Sequence, residues 1–424
     1  MWTRRDAHGD DGAGTTSRRV GRGPLGIVFT TVLIDLVGFG IALPLLPLWA
    51  ERLGASPLEV GLLLASYAIC QVIFAPLWGR ASDRYGRRPV ILVALAGASA
   101  AALLTGLAST LWLLFVARAL HGAAGASYVA AQAYVADVTR PGERARGLGL
   151  IGAAFGLGFT IGPALGALLS TAGPRTPFFV VAALSAANLA WAYRRLPESR
   201  PQASGSARVR GGIRAMLRRP ERRGVLIVSL VATAAFVGVE ATFALFAADR
   251  LGYAELGVGL LFAFIGIVAA SVQGGLIGPA VRRVGERQVL VGGLTATAVG
   301  ALGVALAGSL WLMLPALAVL AAGWGFAYSA TLALASLTAA ADEQGAVLGA
   351  LGSVGGVGRI LGPIAGGVTY QLIAPAAPLV LTAAVLLATA LATPVLIGRM
   401  ARPGAAEGDD IGPPGRDIRP GETP

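Results

Sequence analysis

Apolar residues along this chain come in long unbroken runs, not in the alternation of a half-buried strand. The runs are 25–49, 58–79, 89–109, 111–136, 147–170, 177–196, 224–247, 256–279, 288–308, 310–338, 346–373 and 376–398. About 20 consecutive apolar residues are what an α-helix needs to cross the hydrocarbon core of a bilayer. The pattern predicts an all-α polytopic membrane protein with twelve transmembrane helices. A transmembrane barrel, the other backbone solution in lipid, would show short alternating segments instead.

Composition agrees. Of the 424 residues 55% are hydrophobic and 13% charged, where a soluble domain carries about 25% charged residues. Mean hydropathy is +0.71. A net charge of +12 would in a soluble protein suggest nucleic acid, yet every basic side chain other than the two histidines is Arg, and most stand in short loops. No nucleic-acid partner is expected, and the charge sets topology, because basic residues in short loops resist translocation. Arg80, Arg84, Arg87 and Arg88 follow the second run, Arg140, Arg144 and Arg146 the fourth, and Arg282, Arg283 and Arg287 the eighth. These loops are predicted to face the cytoplasm. The alternate loops hold Arg52 beside Glu51 and Glu59, Arg175 alone, and Arg250 beside Asp249 and Glu255, and are predicted to face outward. A cell-membrane protein with both termini cytoplasmic follows.

The polar segments divide the chain. Residues 1–24 read as a disordered cytoplasmic leader, since the first apolar run is too long, and lacks the cleavage site, for a signal peptide. Residues 25–196 form an N-terminal six-helix bundle, 197–223 a cytoplasmic linker, 224–398 a C-terminal six-helix bundle and 399–424 a disordered cytoplasmic tail. Ten arginines with Pro197, Pro201 and Pro220 between 194 and 223 suit a linker lying on an anionic leaflet. An internal repeat supports the division: Gly149, Gly158, Gly162, Pro163 and Gly166 recur 200 residues later as Gly349, Gly358, Gly362, Pro363 and Gly366. The loop Gly79 to Arg88 has a degraded copy at 278–287 that keeps both glycines. Two parallel six-helix repeats describe a transporter better than a pore or an enzyme.

The loop Gly79-x-x-x-Asp83-Arg84-x-Gly86-Arg87-Arg88 resembles the signature loop of the major facilitator superfamily. Gly149, Gly158, Gly162-Pro163 and Gly166 on the fifth run resemble the antiporter motif of its twelve-helix drug:proton exporters, with Ala167 where a second glycine is usual. The first run, Ile34-Asp35-Leu36-Val37-Gly38-Phe39-Gly40, and Arg118-Ala119-Leu120-His121-Gly122 on the fourth are similar to the same group, so the resemblance spans 25 to about 398. The N-terminal half looks most like the tetracycline exporters. The ninth run, Gly292 to Ala298, lacks the carboxylate those proteins carry, while Glu240 resembles the membrane carboxylate of multidrug exporters. The resemblance implies alternating access and exchange of protons for drugs or other small lipophilic compounds; a proton-coupled importer of a small metabolite is the alternative.

Ionisable residues inside a bilayer cost about 2.5 to 3.5 kcal/mol even on insertion scales, so each invites a role. Asp35, Glu240, Arg118 and Arg359 are the candidates for proton coupling, because a carboxylate in apolar surroundings holds its proton more readily than one in water. Gating candidates are Gly79, Asp83, Arg84, Gly86, Arg87, Arg88 and Asp137 at the cytoplasmic loops, with Gly149, Gly158, Gly162, Pro163 and Gly166 on a helix that can pack closely and bend. The resemblance implies that Asp83 meets the N-terminus of the eleventh helix, and Asp137 is expected to pair with Arg84 or Arg87. Tyr67, Gln71, Tyr128, Gln132, Phe236, Phe243, Gln273 and Trp324 are expected to line a substrate cavity.

No Gly-x-x-x-x-Gly-Lys-Ser/Thr loop is present, and two histidines with one cysteine build no N/S metal site, so neither ATP, a metal nor another cofactor is expected. No catalytic constellation is visible. The expected partners are protons, a drug-like small molecule and the lipid bilayer, and a twelve-helix unit encloses a cavity as a monomer.

Overall fold

A computed structural model describes residues 22–125, 127–139, 144–199, 220–339 and 343–398, and all their regular structure is helical. In chain order the helices are α1 (Arg22–Arg52), α2 (Pro57–Tyr85), α3 (Arg87–Leu107), α4 (Leu111–Ala124), α5 (Ser127–Val138), α6 (Arg144–Ser170), α7 (Thr176–Arg195), α8 (Pro220–Leu251), α9 (Glu255–Ser271), α10 (Ile277–Val284), α11 (Glu286–Leu306), α12 (Leu310–Leu337), α13 (Gln344–Leu372) and α14 (Ala377–Ile397). Among the described residues ten helical stretches are long and apolar enough to cross a membrane, and α4 is a shorter apolar one. The predicted leader before Arg22, the tail beyond Gly398, most of the linker and Arg140 lie outside the described residues.

Local chemistry sets the boundaries. Ser56 caps α2 by accepting from the Glu59 N–H at 3.3 Å while Glu59 accepts from the Ser56 N–H at 2.8 Å, and Pro57 occupies the first turn where its missing donor costs nothing. Two predicted runs are interrupted. The run 111–136 breaks at Gly125, whose N–H turns back to the Gly122 carbonyl at 3.1 Å, because two glycines in four residues weaken the helix. The run 256–279 holds a π-helical turn over Val272–Leu276, where Gly274 and Gly275 leave the backbone without side-chain support.

Two compact units form. The first comprises the described residues up to 199 with 238–270 and 363–378. One part of its interior is a cluster from α1, α3, α5, α6 and α7 that includes Val32, Leu36, Ile91, Leu95, Tyr134 and Ala154. Tyr134 is fully buried and donates its phenol to the Pro197 carbonyl at 3.0 Å; Asn188 on α7 donates to the Thr31 carbonyl on α1 at 3.0 Å. Both bonds satisfy polar groups that lipid could not.

The second unit comprises 220–237, 271–362 and 379–398. Here α11 and α12 touch backbone to backbone at Gly293, Gly300 and Gly323. Arg222, buried at the start of α8, donates from Nε and Nη2 to the Thr338 carbonyl and pairs with Glu343, which fastens α8 to the turn after α12. Large apolar side chains cover the outside of both units, Trp311 at 82% and Val395 at 84% exposed among them. A patchwork of that extent fits hydrocarbon as its solvent.

A Cβ on Gly300 would collide with the backbone of Leu320, whereas Gly292 has open space around it. Gly300→Ala is therefore expected to destabilise the protein by about 1 to 3 kcal/mol, the range of overpacked cores. Gly292→Ala should leave it unchanged or more stable. Thermal unfolding of the two variants in detergent checks the contrast, and equal melting temperatures would contradict the packing described.

Candidate functional site

Gly86 separates α2 from α3 at φ 100°, a left-handed conformation that a side chain disfavours. The chain turns there so that Arg87 opens α3. Its Nε donates to Asp137 Oδ2 at 3.0 Å, and its Nη1 to Asp83 Oδ1 at 3.0 Å and Ser82 Oγ at 2.9 Å. One guanidinium thus ties α2, α3 and α5 together. Arg84 instead lies over the Tyr85 ring, 5.3 Å from its centroid, and Arg88 Nη2 donates to the Tyr193 carbonyl at 2.7 Å. Gly79 has open space around it. Glu198 completes the arrangement: its carboxylate accepts from the backbone N–H of Arg87 at 2.9 Å and of Arg88 at 3.2 Å, at the helix end whose free N–H groups and dipole favour an anion.

The glycine motif forms a seam. Gly158 faces Leu36, Gly162 faces Gly40 and Val37, and Gly166 faces Leu45 and Ile41, so α6 lies against α1 at backbone distance. A Cβ on Gly40 would stand 2.5 Å from the Gly158 carbonyl oxygen. The repeat on α13 does the same against α8, where Gly358 meets Thr233 and Gly366 meets Gly238. Pro163 and Pro363 sit within their helices, and Gly149 lies in α6.

Inside the first unit the glycine at Gly122 lets α4 close onto the Tyr67 backbone of α2. Arg118, only 5% exposed, then lies over the Tyr67 ring at 4.8 Å. His121 meets the same ring edge-on at 5.2 Å, Gln71 Nε2 donates to its hydroxyl at 3.2 Å, and Phe39 and Phe159 extend the aromatic wall. Asp35 and Glu240 are half-buried on α1 and α8, and Gln132 on α5 is half-buried too. The Tyr128 side chain lies outside the described residues. Phe243 is buried and packs edge-on against Phe262.

In the second unit Phe236 and Trp324 stack face to face with centroids 4.1 Å apart, and Tyr328 lies 6.0 Å beyond. Gln273 projects from the π-helical turn and is exposed, as is Arg359 on α13.

At the end of the first unit predicted to face outward, α2, α6, α8, α9 and α13 close on one another. Gly61 and Gly367 admit the backbones of Pro363 and Pro57, and Gly259 and Gly266 admit Pro163 with Ala167 and Phe159 with Thr160. Arg52 pairs with Glu255, Tyr370 donates to Asp249, and the Leu58 N–H donates to Gln371 at 3.2 Å.

Sequence reasoning missed Glu198, Ser82, Arg222 and the groups at this closed end. Glu198 stands in an ordinary Pro-Glu-Ser segment after a helix, and Arg222 is one of ten arginines in and beside the linker, so neither carried a distinguishing signal. Gly61 and Gly259 are two among 60 glycines.

A family model described as Major Facilitator Superfamily matches residues 28–279 and 274–414. The chain is 33% identical over 355 residues to the tetracycline resistance protein, class C, of Escherichia coli, covering 80% of this chain and 87% of that protein. It is 28% identical over 355 residues to multidrug resistance protein 2 of Bacillus subtilis, covering 82% and 88%. The crystal structure of the nucleoside transporter NupG shares the fold at 15% identity, with a TM-score of 0.74 over 88% of this chain and 98% of that one.

Glu198→Ala should cost about 0.5 to 2 kcal/mol, the range for a lost helix cap. Glu198→Gln, which keeps one acceptor oxygen, should recover part of it. Melting curves of the purified protein check this; an Ala variant as stable as the parent would remove the capping role.

Proposed function

The chain belongs to the Major Facilitator Superfamily, and on that premise we propose that it exports drugs or other small lipophilic compounds across the cytoplasmic membrane in exchange for protons. The observation that carries this reading is its similarity to tetracycline and multidrug resistance proteins over about four fifths of its length. Twelve crossings in two six-helix bundles, with both termini cytoplasmic, and a functional monomer complete the picture.

The exchange works by mutual exclusion. A proton bound at Glu240 or Asp35 from outside and a drug bound in the central cavity do not coexist, so proton uptake releases the drug outward. Arg118 and Arg359 set the electrostatics against which those carboxylates exchange protons. One net charge moved across 100 mV supplies about 2.3 kcal/mol, nearly two orders of magnitude of accumulation.

The drug sits among Tyr67, Gln71, Tyr128, Gln132, Phe236, Phe243, Gln273 and Trp324. The Arg87 network with Asp83 and Asp137 loosens when the protein opens inward. The seams at Gly149, Gly158, Gly162, Pro163 and Gly166 and at their repeat let α6 and α13 slide and bend as the two sides alternate.

Inside-out vesicles energised by respiration, with a pH-quenched dye, test the reading. Addition of tetracycline, a fluoroquinolone, chloramphenicol or ethidium should restore fluorescence as protons leave, and Glu240→Gln or Asp35→Asn should reduce that recovery to near background. A folded, inserted protein with which none of these compounds moves protons would contradict export.

A further inference from the structure

Among the described residues Arg118 is the most deeply buried arginine of the first unit, and what surrounds it is chemically specific. Its side chain is 5% exposed, its guanidinium lies 4.8 Å from the Tyr67 ring centre, and its Nε has no hydrogen-bond partner among the described residues. Arginine does not give up its proton in such a place, and a buried cation with an unmet donor is costly until an anionic oxygen reaches it. A ring face offsets part of that cost but accepts no hydrogen bond from Nε.

Around the guanidinium stand groups that can hydrogen-bond to a ligand or stack on it. His121 and Gln71 are partly exposed and reach the same Tyr67, through its ring edge at 5.2 Å and its hydroxyl at 3.2 Å. The missing side chain at Gly125 lets Gln71 and the Tyr67 hydroxyl come close to the helix, since a Cβ there would lie 3.2 Å from Gln71 Nε2 and 3.3 Å from that hydroxyl. Phe39 and Phe159, with ring centroids 5.7 Å apart, supply flat apolar surface beside this polar corner.

We propose that Arg118 anchors a substrate subsite for the anionic oxygen, carboxylate or enolate, of a planar aromatic compound whose ring lies against Phe39 and Phe159. This rests on the export reading and narrows it: the compounds taken best carry a negative charge next to a flat ring. Arginine suits the task because its fixed fork of donors matches a carboxylate, where a lysine offers a point charge.

The test is calorimetric titration of the full chain in lipid nanodiscs with three ligands of one ring: 2-naphthoate, its neutral carboxamide, and the cationic 2-naphthylmethylammonium. The wild-type protein should bind the carboxylate about tenfold or more tighter than the other two, the range of a charge-assisted hydrogen bond. Arg118→Gln should erase that preference, and Arg118→Lys should keep part of it. Equal affinities in the wild type, or a preference that survives in Arg118→Gln, would overturn the proposal; the wild-type series stands even if a variant does not fold. Proton movement driven by ethidium in vesicles separates the two readings. If it occurs without any anion preference in binding, the subsite falls and export stands; an anion preference without proton movement by any drug keeps the subsite and removes export.

Discussion

Helices in lipid gain nothing from hiding apolar surface from one another, because the surrounding chains are equally apolar. What holds this protein together is close backbone approach, and glycine is the residue that allows it. Gly40 against Gly158 and Gly162 brings α1 onto α6, Gly238 against Gly366 brings α8 onto α13, and Gly300 brings α11 onto the Leu320 turn of α12. Each contact is short and leaves no room for a Cβ on the glycine. Dispersion and weak dipolar contacts of this kind are individually small and sum over a long seam. A seam without interlocking side chains can also part and re-form, which a transporter requires of its gates.

Charge is used at helix ends, and sparingly within. Arg87 with Asp83 and Asp137, and Arg52 with Glu255, are pairs at or near helix termini, partly open to water. Pairs of that kind contribute about 0 to 1 kcal/mol each, enough to bias two conformations and too little to freeze one. Glu198 adds a fixed element beside them, since a carboxylate on the first N–H groups of α3 holds the loop around Gly86 in place. The interior charges are different in kind. Asp35, Glu240 and Arg118 stand within membrane helices, where each costs about 2.5 to 3.5 kcal/mol even on insertion scales.

Much of the fold was legible because lipid imposes a simple rule: about 20 apolar residues make a crossing, and such runs can be read by eye. The α6 motif was legible because its glycines recur at one offset on α13, and the structure gives both copies a helix to meet, α1 and α8. The break at Gly125 and the π-helical turn at Val272–Leu276 were not, because small residues occur throughout these helices and composition does not say which glycine interrupts hydrogen bonding. Partners distant in sequence were the least accessible. Glu198 lies 111 positions from the Arg87 N–H it accepts, and nothing local in Pro-Glu-Ser announces that contact.

The proposed alternating access requires the close contact between α6 and α9, where Gly259 meets Pro163 and Ala167, to part and re-form. Distance measurement between spin labels tests it most directly. Labels at Ala172→Cys and Ala254→Cys, both exposed on the turns beside that contact, can be placed in a Cys70→Ser background because the chain has one cysteine. The account predicts a short distance in lipid nanodiscs at neutral pH and a second, longer population on acidification or addition of an exported drug. A single distance unchanged by either would contradict it.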